Sequence, residues 1–142
     1  MTLNPTLFSC DIYFRVDQAV DLLEEYYLND GRSFCVAYSG GKDSTAVIHL
    51  VFEMLKRVKS KNKPLSKPVY IVNSNTLAEL PPMLKHLKKS LKSIEDFSKQ
   101  CDFPVHVKEV VPDTKKTLNV QFFGVGMPPP SPSFRWCTEK LM

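Results

Sequence analysis

The sequence predicts an α/β protein, a parallel sheet with helices on both faces. Three observations predict it. Short apolar runs alternate with longer stretches of helical periodicity. Their order is strand, helix, strand, helix, strand, the alternation that builds a parallel sheet with right-handed crossovers. A Gly-Gly loop joins the first strand to the helix that follows it.

Residues 1–31 read as a helical segment. Ile12, Val16, Ala19, Val20, Leu23, Tyr26 and Tyr27 recur at helical spacing, and Asn29-Asp30-Gly31 stops them, the glycine supplying a left-handed closing residue. Phe34-Cys35-Val36-Ala37-Tyr38 is continuously apolar, which suits a strand buried on both faces. From Thr45 to Val58, Ala46, Val47, Leu50, Val51, Met54, Leu55 and Val58 make one helical stripe. The basic stretch Lys59–Lys67 is a surface connection, and Val69-Tyr70-Ile71-Val72 is a second buried strand. Leu80, Leu84, Leu87, Leu91, Ile94 and Phe97 mark the next helix, with Pro81 and Pro82 in a first turn where a missing amide costs little. Val105–Val111 alternates early, as an edge strand does. Beyond Pro112, Phe122–Gly126 and the proline-rich Met127–Pro132 read as a rigid irregular loop. The chain stops at Met142 as a further helix begins, the pattern of a domain truncated at its C-terminus.

At 142 residues and 43% hydrophobic content there is room and core for one ordinary domain. No apolar run approaches the roughly 20 residues of a membrane span, and no basic leader opens the chain. A cytoplasmic protein with no membrane partner is expected. Cys10, Cys35, Cys101 and Cys137 form no C-x-x-C pair and read as free thiols, Cys35 as core. The net charge of +4 is uneven: Lys56, Arg57, Lys59, Lys61, Lys63 and Lys67 crowd one stretch, and Lys85, Lys88, Lys89, Lys92 and Lys99 dot another. Either these serve a phosphate-bearing partner such as nucleic acid, or they are solvated helix ends. His49, His86 and His106 have no partner at ligand spacing and read as structural.

Ser39-Gly40-Gly41-Lys42-Asp43-Ser44 lies between a buried strand and an amphipathic helix, and ligands bind parallel sheets outside the carboxyl ends of their strands. Two glycines let backbone amides approach an anion, and the helix start aims free N–H groups and a positive dipole end at the same spot. Lys42 adds a mobile charge, and Ser39 and Ser44 add hydroxyls. Asp43 would repel phosphate unless it holds Mg²⁺ or caps the helix. A Walker A loop is excluded, because Val36 stands where it needs glycine and Asp43 where it needs Ser or Thr. The second strand ends in Asn73-Ser74-Asn75-Thr76, which could contact adenine or ribose, with Ser74 and Asn75 the site candidates, or Asn75 or Thr76 caps the next helix.

The Ser39–Ser44 hexapeptide resembles the PP-loop of the N-type ATP pyrophosphatase and PAPS reductase superfamily. The resemblance implies an adenine nucleotide alpha hydrolase-like fold over residues 32–142. It also implies a loop that grips the β- and γ-phosphates of ATP, and cleavage between α and β phosphorus to AMP and pyrophosphate. The tail is more specific: Gly124-Val125-Gly126 through Phe134-Arg135-Trp136-Cys137-Thr138 is similar to the signature of DndC-type and SspD-like proteins of DNA phosphorothioation. Asn73-Ser74-Asn75-Thr76-Leu77-Ala78-Glu79 resembles their S-S-D-T-L-V-E stretch, with Asn75 in place of the acid. By this resemblance ATP and Mg²⁺ are cofactors, Lys42, Asp43 and Arg135 are catalytic, and DNA is the ultimate substrate. A cysteine desulfurase and other sulfur-modification subunits are partners. Arg135 would clamp a phosphate or sulfate, as a planar guanidinium can. Cys137 could supply one ligand of a [4Fe–4S] cluster, which needs four thiolates and so belongs to a longer chain. The alternatives are a PAPS reductase-like enzyme of sulfur assimilation and a non-catalytic nucleotide-binding regulator.

Overall fold

The computed structural model describes residues 5–128, with side chains from residue 12 onward. Helix α1 spans Pro5–Asn29, strand β1 Phe34–Ala37, helix α2 Lys42–Ser60, strand β2 Val69–Ser74, helix α3 Pro81–Gln100 and strand β3 Val105–Val110. A short 3₁₀ turn at Thr114–Lys116 and one π-type turn at Val120–Gly124 follow. That π turn replaces the irregular loop expected from Phe122.

The three strands are parallel in the order β1-β2-β3. Phe34 pairs with Val69 and Val69 with Val105; Val36 pairs with Ile71 and Ile71 with Val107. Paired residues point to one side, so Val36, Val69, Ile71 and Val105 form one buried face. Onto it pack Ile48, Val51, Phe52, Leu55 and Val58 of α2 and Leu87 and Leu91 of α3. The two helices also touch each other, with the Phe52 and Phe97 rings edge-on at 5.1 Å.

Helices on both faces were expected; among the described residues α2 and α3 share one. The cause is topological. Adding each strand on the same side of the last with right-handed crossovers leaves every connecting helix on the same side of the sheet. The opposite face carries Cys35, Ala37, Tyr70, Val72, His106 and Lys108. Cys35 is therefore exposed rather than core, and β1 is buried on one face only. Among the described residues β3 is an edge strand, as expected from its alternation.

α2 and α3 end alike. Asn62 and Asp102, each two residues past a helix, take left-handed conformations with φ of 53° and 52°. The amides that follow reach back into the helix, Lys63 to the Val58 carbonyl at 3.1 Å and Phe103 to that of Ser98 at 2.9 Å. Short polar side chains tolerate that backbone, and the wrap turns the chain straight into the next strand. α1 ends differently, because Gly31 is not in the left-handed region. Asp30 instead accepts the Arg32 amide and guanidinium, which hold its carboxyl down to about 2. The Lys67 ammonium sits on the Tyr27 and Asp30 carbonyls, at the negative end of the helix dipole.

α1 docks on α2 through Val20, Glu24 and Tyr27, one turn apart along one face. Part of the stripe read from sequence faces solvent instead, with Ile12 60% and Tyr26 57% exposed. Lys61 and Lys63 both reach the buried carboxylate of Glu24, Lys61 at 2.7 Å. Arg57 bridges Asp17 and Asp21. Much of the first basic stretch therefore clamps α1 to α2. No described helix is long and apolar enough to cross a membrane.

Candidate functional site

The Ser39–Ser44 loop leaves the carboxyl end of β1 and turns directly into α2. Tyr38 extends the ladder by one bond, its amide on the Val72 carbonyl at 2.8 Å. Gly40 then takes φ +77°, a left-handed conformation that L side chains resist. A Cβ there would also lie 3.0 Å from Leu87 Cδ1.

The serines close the loop on itself. Ser44 Oγ donates its proton to the Gly41 carbonyl at 3.0 Å and accepts the Ser39 amide at 3.3 Å. With that proton committed, Ser39 Oγ must be the donor in its 3.1 Å contact with Ser44 Oγ. These hydroxyls brace the backbone, where sequence reading had them aimed at a ligand. Gly41 is the helix N-cap and makes no side-chain cap bond. The amides of Lys42, Asp43 and Ser44, the first of α2, have no backbone acceptor and point out of the helix start. Lys42 and Asp43 are exposed and form no ion pair with any described residue. Asp43 sits inside the first turn, so it is not the cap; an acid there does complement the dipole.

Behind the loop is a cavity of about 150 Å³, lined by Ser39, Gly40, Asn73, Ser74, Glu79, Met83, His86 and Leu87. It gathers the ends of β1 and β2 and the first two turns of α3. Ser39, Gly40 and Ser74 are thus brought together as expected. Asn75 is not among them. Its amide nitrogen donates to Glu109 at 2.7 Å and its oxygen accepts the Leu77 amide at 3.0 Å. Neither Asn75 nor Thr76 caps α3, whose N-cap is Leu80, with prolines at the first positions. What Asn75 does is hold Leu77 at φ +61°, an outlier for a bulky residue that persists only where its surroundings fix it.

Glu79, Met83, His86 and Leu87 escaped the sequence reading as site residues, and Asn73 entered it only as part of the strand end. For Asn73 a signal existed: it continues the inward parity of Val69 and Ile71, so a polar side chain lands on the buried face. His86, read as structural, lines the cavity one turn from Met83.

A larger concavity, about 540 Å³, runs along the free edge of β1 between α1 and α2, lined by Leu23, Tyr26, Phe34, Cys35, Val47 and Val51 among others. It is mostly apolar. Among the described residues no three His, Cys, Asp or Glu side chains are placed to hold a metal ion. Cys35 and Cys101 are the cysteines with described side chains, two fewer than a [4Fe–4S] cluster requires. Arg135, Trp136 and Cys137 lie outside the described residues, and Cys10 lies in α1 ahead of the described side chains.

No protein-family model matches this chain, and no solved structure matches it.

Proposed function

We propose that the chain is a PP-loop domain that binds ATP on the Ser39–Ser44 loop and cleaves it between α and β phosphorus, activating an acceptor in DNA sulfur modification. One observation carries the phosphate reading: a braced loop at the end of a parallel strand, with Gly40 at φ +77° and the unpaired amides of Lys42, Asp43 and Ser44 at a helix start. Such a start concentrates N–H donors and dipole charge on one anion site, and Lys42 adds a full charge beside it. The sulfur-modification reading is supported by sequence likeness alone. The exposed lysines 85, 88, 89 and 92, along one face of α3, suit contact with a phosphate backbone.

Mg²⁺ fits this donor set. Magnesium on nucleotides is held by one or two carboxylates together with phosphate oxygens, and Asp43 offers one exposed carboxylate on the first turn of α2. When bound, the metal would neutralise charge developing on the phosphates. Lys42 and the helix amides would orient the phosphate chain. A [4Fe–4S] cluster is not assigned to this chain.

Product analysis tests the proposal. Incubation with ATP and Mg²⁺ should yield AMP and pyrophosphate. ADP and phosphate would contradict it, sulfite from PAPS would favour the reductase alternative, and binding without turnover the regulator. Asp43→Asn should lower turnover at least about tenfold, as loss of a metal contact does. Since Asp43 caps nothing, stability should change by no more than about 1 kcal/mol from the dipole. Unchanged turnover would remove the metal role.

A further inference from the structure

Helix α1 carries a core-type surface past the point where the core ends. Val20 and Tyr27 are buried, yet Tyr13, seven residues before Val20 and so on the same side of the helix, is 72% exposed. Residues 12–18 are exposed throughout, although Ile12, Tyr13, Phe14 and Val16 are large and apolar. Apolar surface of this extent marks a contact that the described chain does not make by itself. A second incomplete feature lies further along the same helix. Leu23 and Tyr26 line the concavity of about 540 Å³ at the free edge of β1, with Phe34, Val47 and Val51 among its other apolar lining.

One stripe joins the two features. Ile12, Val16, Ala19, Leu23 and Tyr26 step by four, three, four and three, which keeps these uncharged residues on one flank of α1. About Ala19 the stripe is nearly palindromic: Ile12 and Tyr26 each lie seven residues away, Val16 three and Leu23 four. Two copies of α1 laid antiparallel therefore meet stripe to stripe. Ala19 crosses Ala19, where a small side chain lets the backbones come close. Ile12 and Val16 of each copy then rest on Leu23 and Tyr26 of the other, at its concavity. A parallel pair would set the two exposed ends together and leave both concavities open.

We propose that α1 is a homodimer interface, two copies pairing antiparallel through this stripe so that the exposed half of each α1 covers the other's concavity. Such an interface is isologous: one patch supplies both the knob and the hole. A membrane surface is a poorer occupant, because interfacial helices carry Lys and Arg along their polar face. Residues 12–29 hold one arginine against Asp17, Asp21, Glu24 and Glu25. The stripe runs about 21 Å along the helix at about 1.5 Å per residue. That is at the small end for a stable interface, so the dimer should dissociate on dilution. Neither the stripe nor the concavity includes a residue of the Ser39–Ser44 loop, so pairing stands or falls apart from phosphate binding.

Sedimentation velocity of the unmodified chain over a range of concentrations tests the pairing, with each variant first shown folded by circular dichroism. The chain should run as a monomer–dimer equilibrium. Ile12→Glu and Ala19→Glu should each weaken dimerisation by about tenfold or more, since each puts an unpaired carboxylate into an apolar contact. Phe14→Glu is the control. Phe14 is as exposed as Ile12, at 60%, but lies about 160° around the helix from it. Its charge should change dimerisation by less than about twofold. Under mild oxidation Ala19→Cys should give more disulfide-linked dimer than the unmodified chain, because two cysteines at the crossing come within bridging distance, while Phe14→Cys should not. A monomer at every concentration, a dimer indifferent to either folded stripe variant, or no more linkage in Ala19→Cys than in Phe14→Cys would overturn the proposal. So would a dimer that Phe14→Glu weakens as much as Ile12→Glu does, the mark of unspecific adhesion.

Discussion

Gly40→Ala is expected to weaken ATP binding by tenfold or more and to cost about 1–2 kcal/mol of folding stability, the penalty for an L residue in the left-handed region. Two effects compete at this position, and their sizes decide the mechanism. The added Cβ would meet Leu87 Cδ1 at 3.0 Å, but that atom ends a flexible side chain and can move aside. The backbone cannot. At φ +77° an alanine is strained whatever the space, and relief requires Gly40 to swing out of the turn braced by Ser39 and Ser44. That swing would displace the amides at the start of α2 from a common focus, so binding should suffer more than stability. Calorimetry with ATP and thermal unfolding of the same variant would measure both. An alanine variant of normal stability and affinity would show that the loop geometry is not what binds phosphate.

Glu24→Ala should lower stability by about 2 kcal/mol, between the near-zero worth of an exposed ion pair and the roughly 3–5 kcal/mol lost when a fully buried one is broken. The carboxylate is buried, but its partners Lys61 and Lys63 are about half exposed and regain water when it is removed. The loss should appear as a melting temperature lower by about 5–10 °C. The same carboxylate predicts a pH dependence. The hydrogen bond from Lys61 holds the Glu24 carboxyl below its ordinary value, against the opposing push of burial. A depressed folded pKa contributes stability that is present above the unfolded value, about 4.3, and is lost as pH falls through the folded value. Acid unfolding should therefore set in below about pH 4 and be less steep in Glu24→Ala. Equal acid limbs for the two proteins would separate Glu24 from the clamp between α1 and α2.

The elements themselves were legible in the sequence, because each announces itself locally. The leucine ladder of α3 and the apolar runs of β1 and β2 lie where periodicity puts them, and the prolines at the start of α3 occupy its first turn. Sidedness was not legible. Cys35 and Ala37 read as core by type, but a sheet grown in one direction covers one face, and strand order is not written in any single strand. The face α1 buries was also hidden, since Glu24 sits at its centre and only lysines from another element make that tolerable. At the site, the Ser39–Ser44 loop was visible because its parts are contiguous. The cavity was not, because it is assembled from β1, β2 and α3. Asn75, the more conspicuous residue by position, proved to be occupied with Glu109 and Leu77, whereas Asn73 one pleat away is buried with an oxygen to spare.

If the Ser39–Ser44 loop grips phosphate as proposed, Lys42 is its charge. ATP affinity of the unmodified chain against Lys42→Ala tests it most directly. Lys42 is exposed and forms no ion pair with any described residue, so its removal should leave the fold intact. ATP binding should be measurable and should weaken by about 1.5–3 kcal/mol in the variant, the worth of a charge-assisted hydrogen bond, or roughly 10- to 150-fold in Kd. Equal affinity in two folded proteins would contradict it.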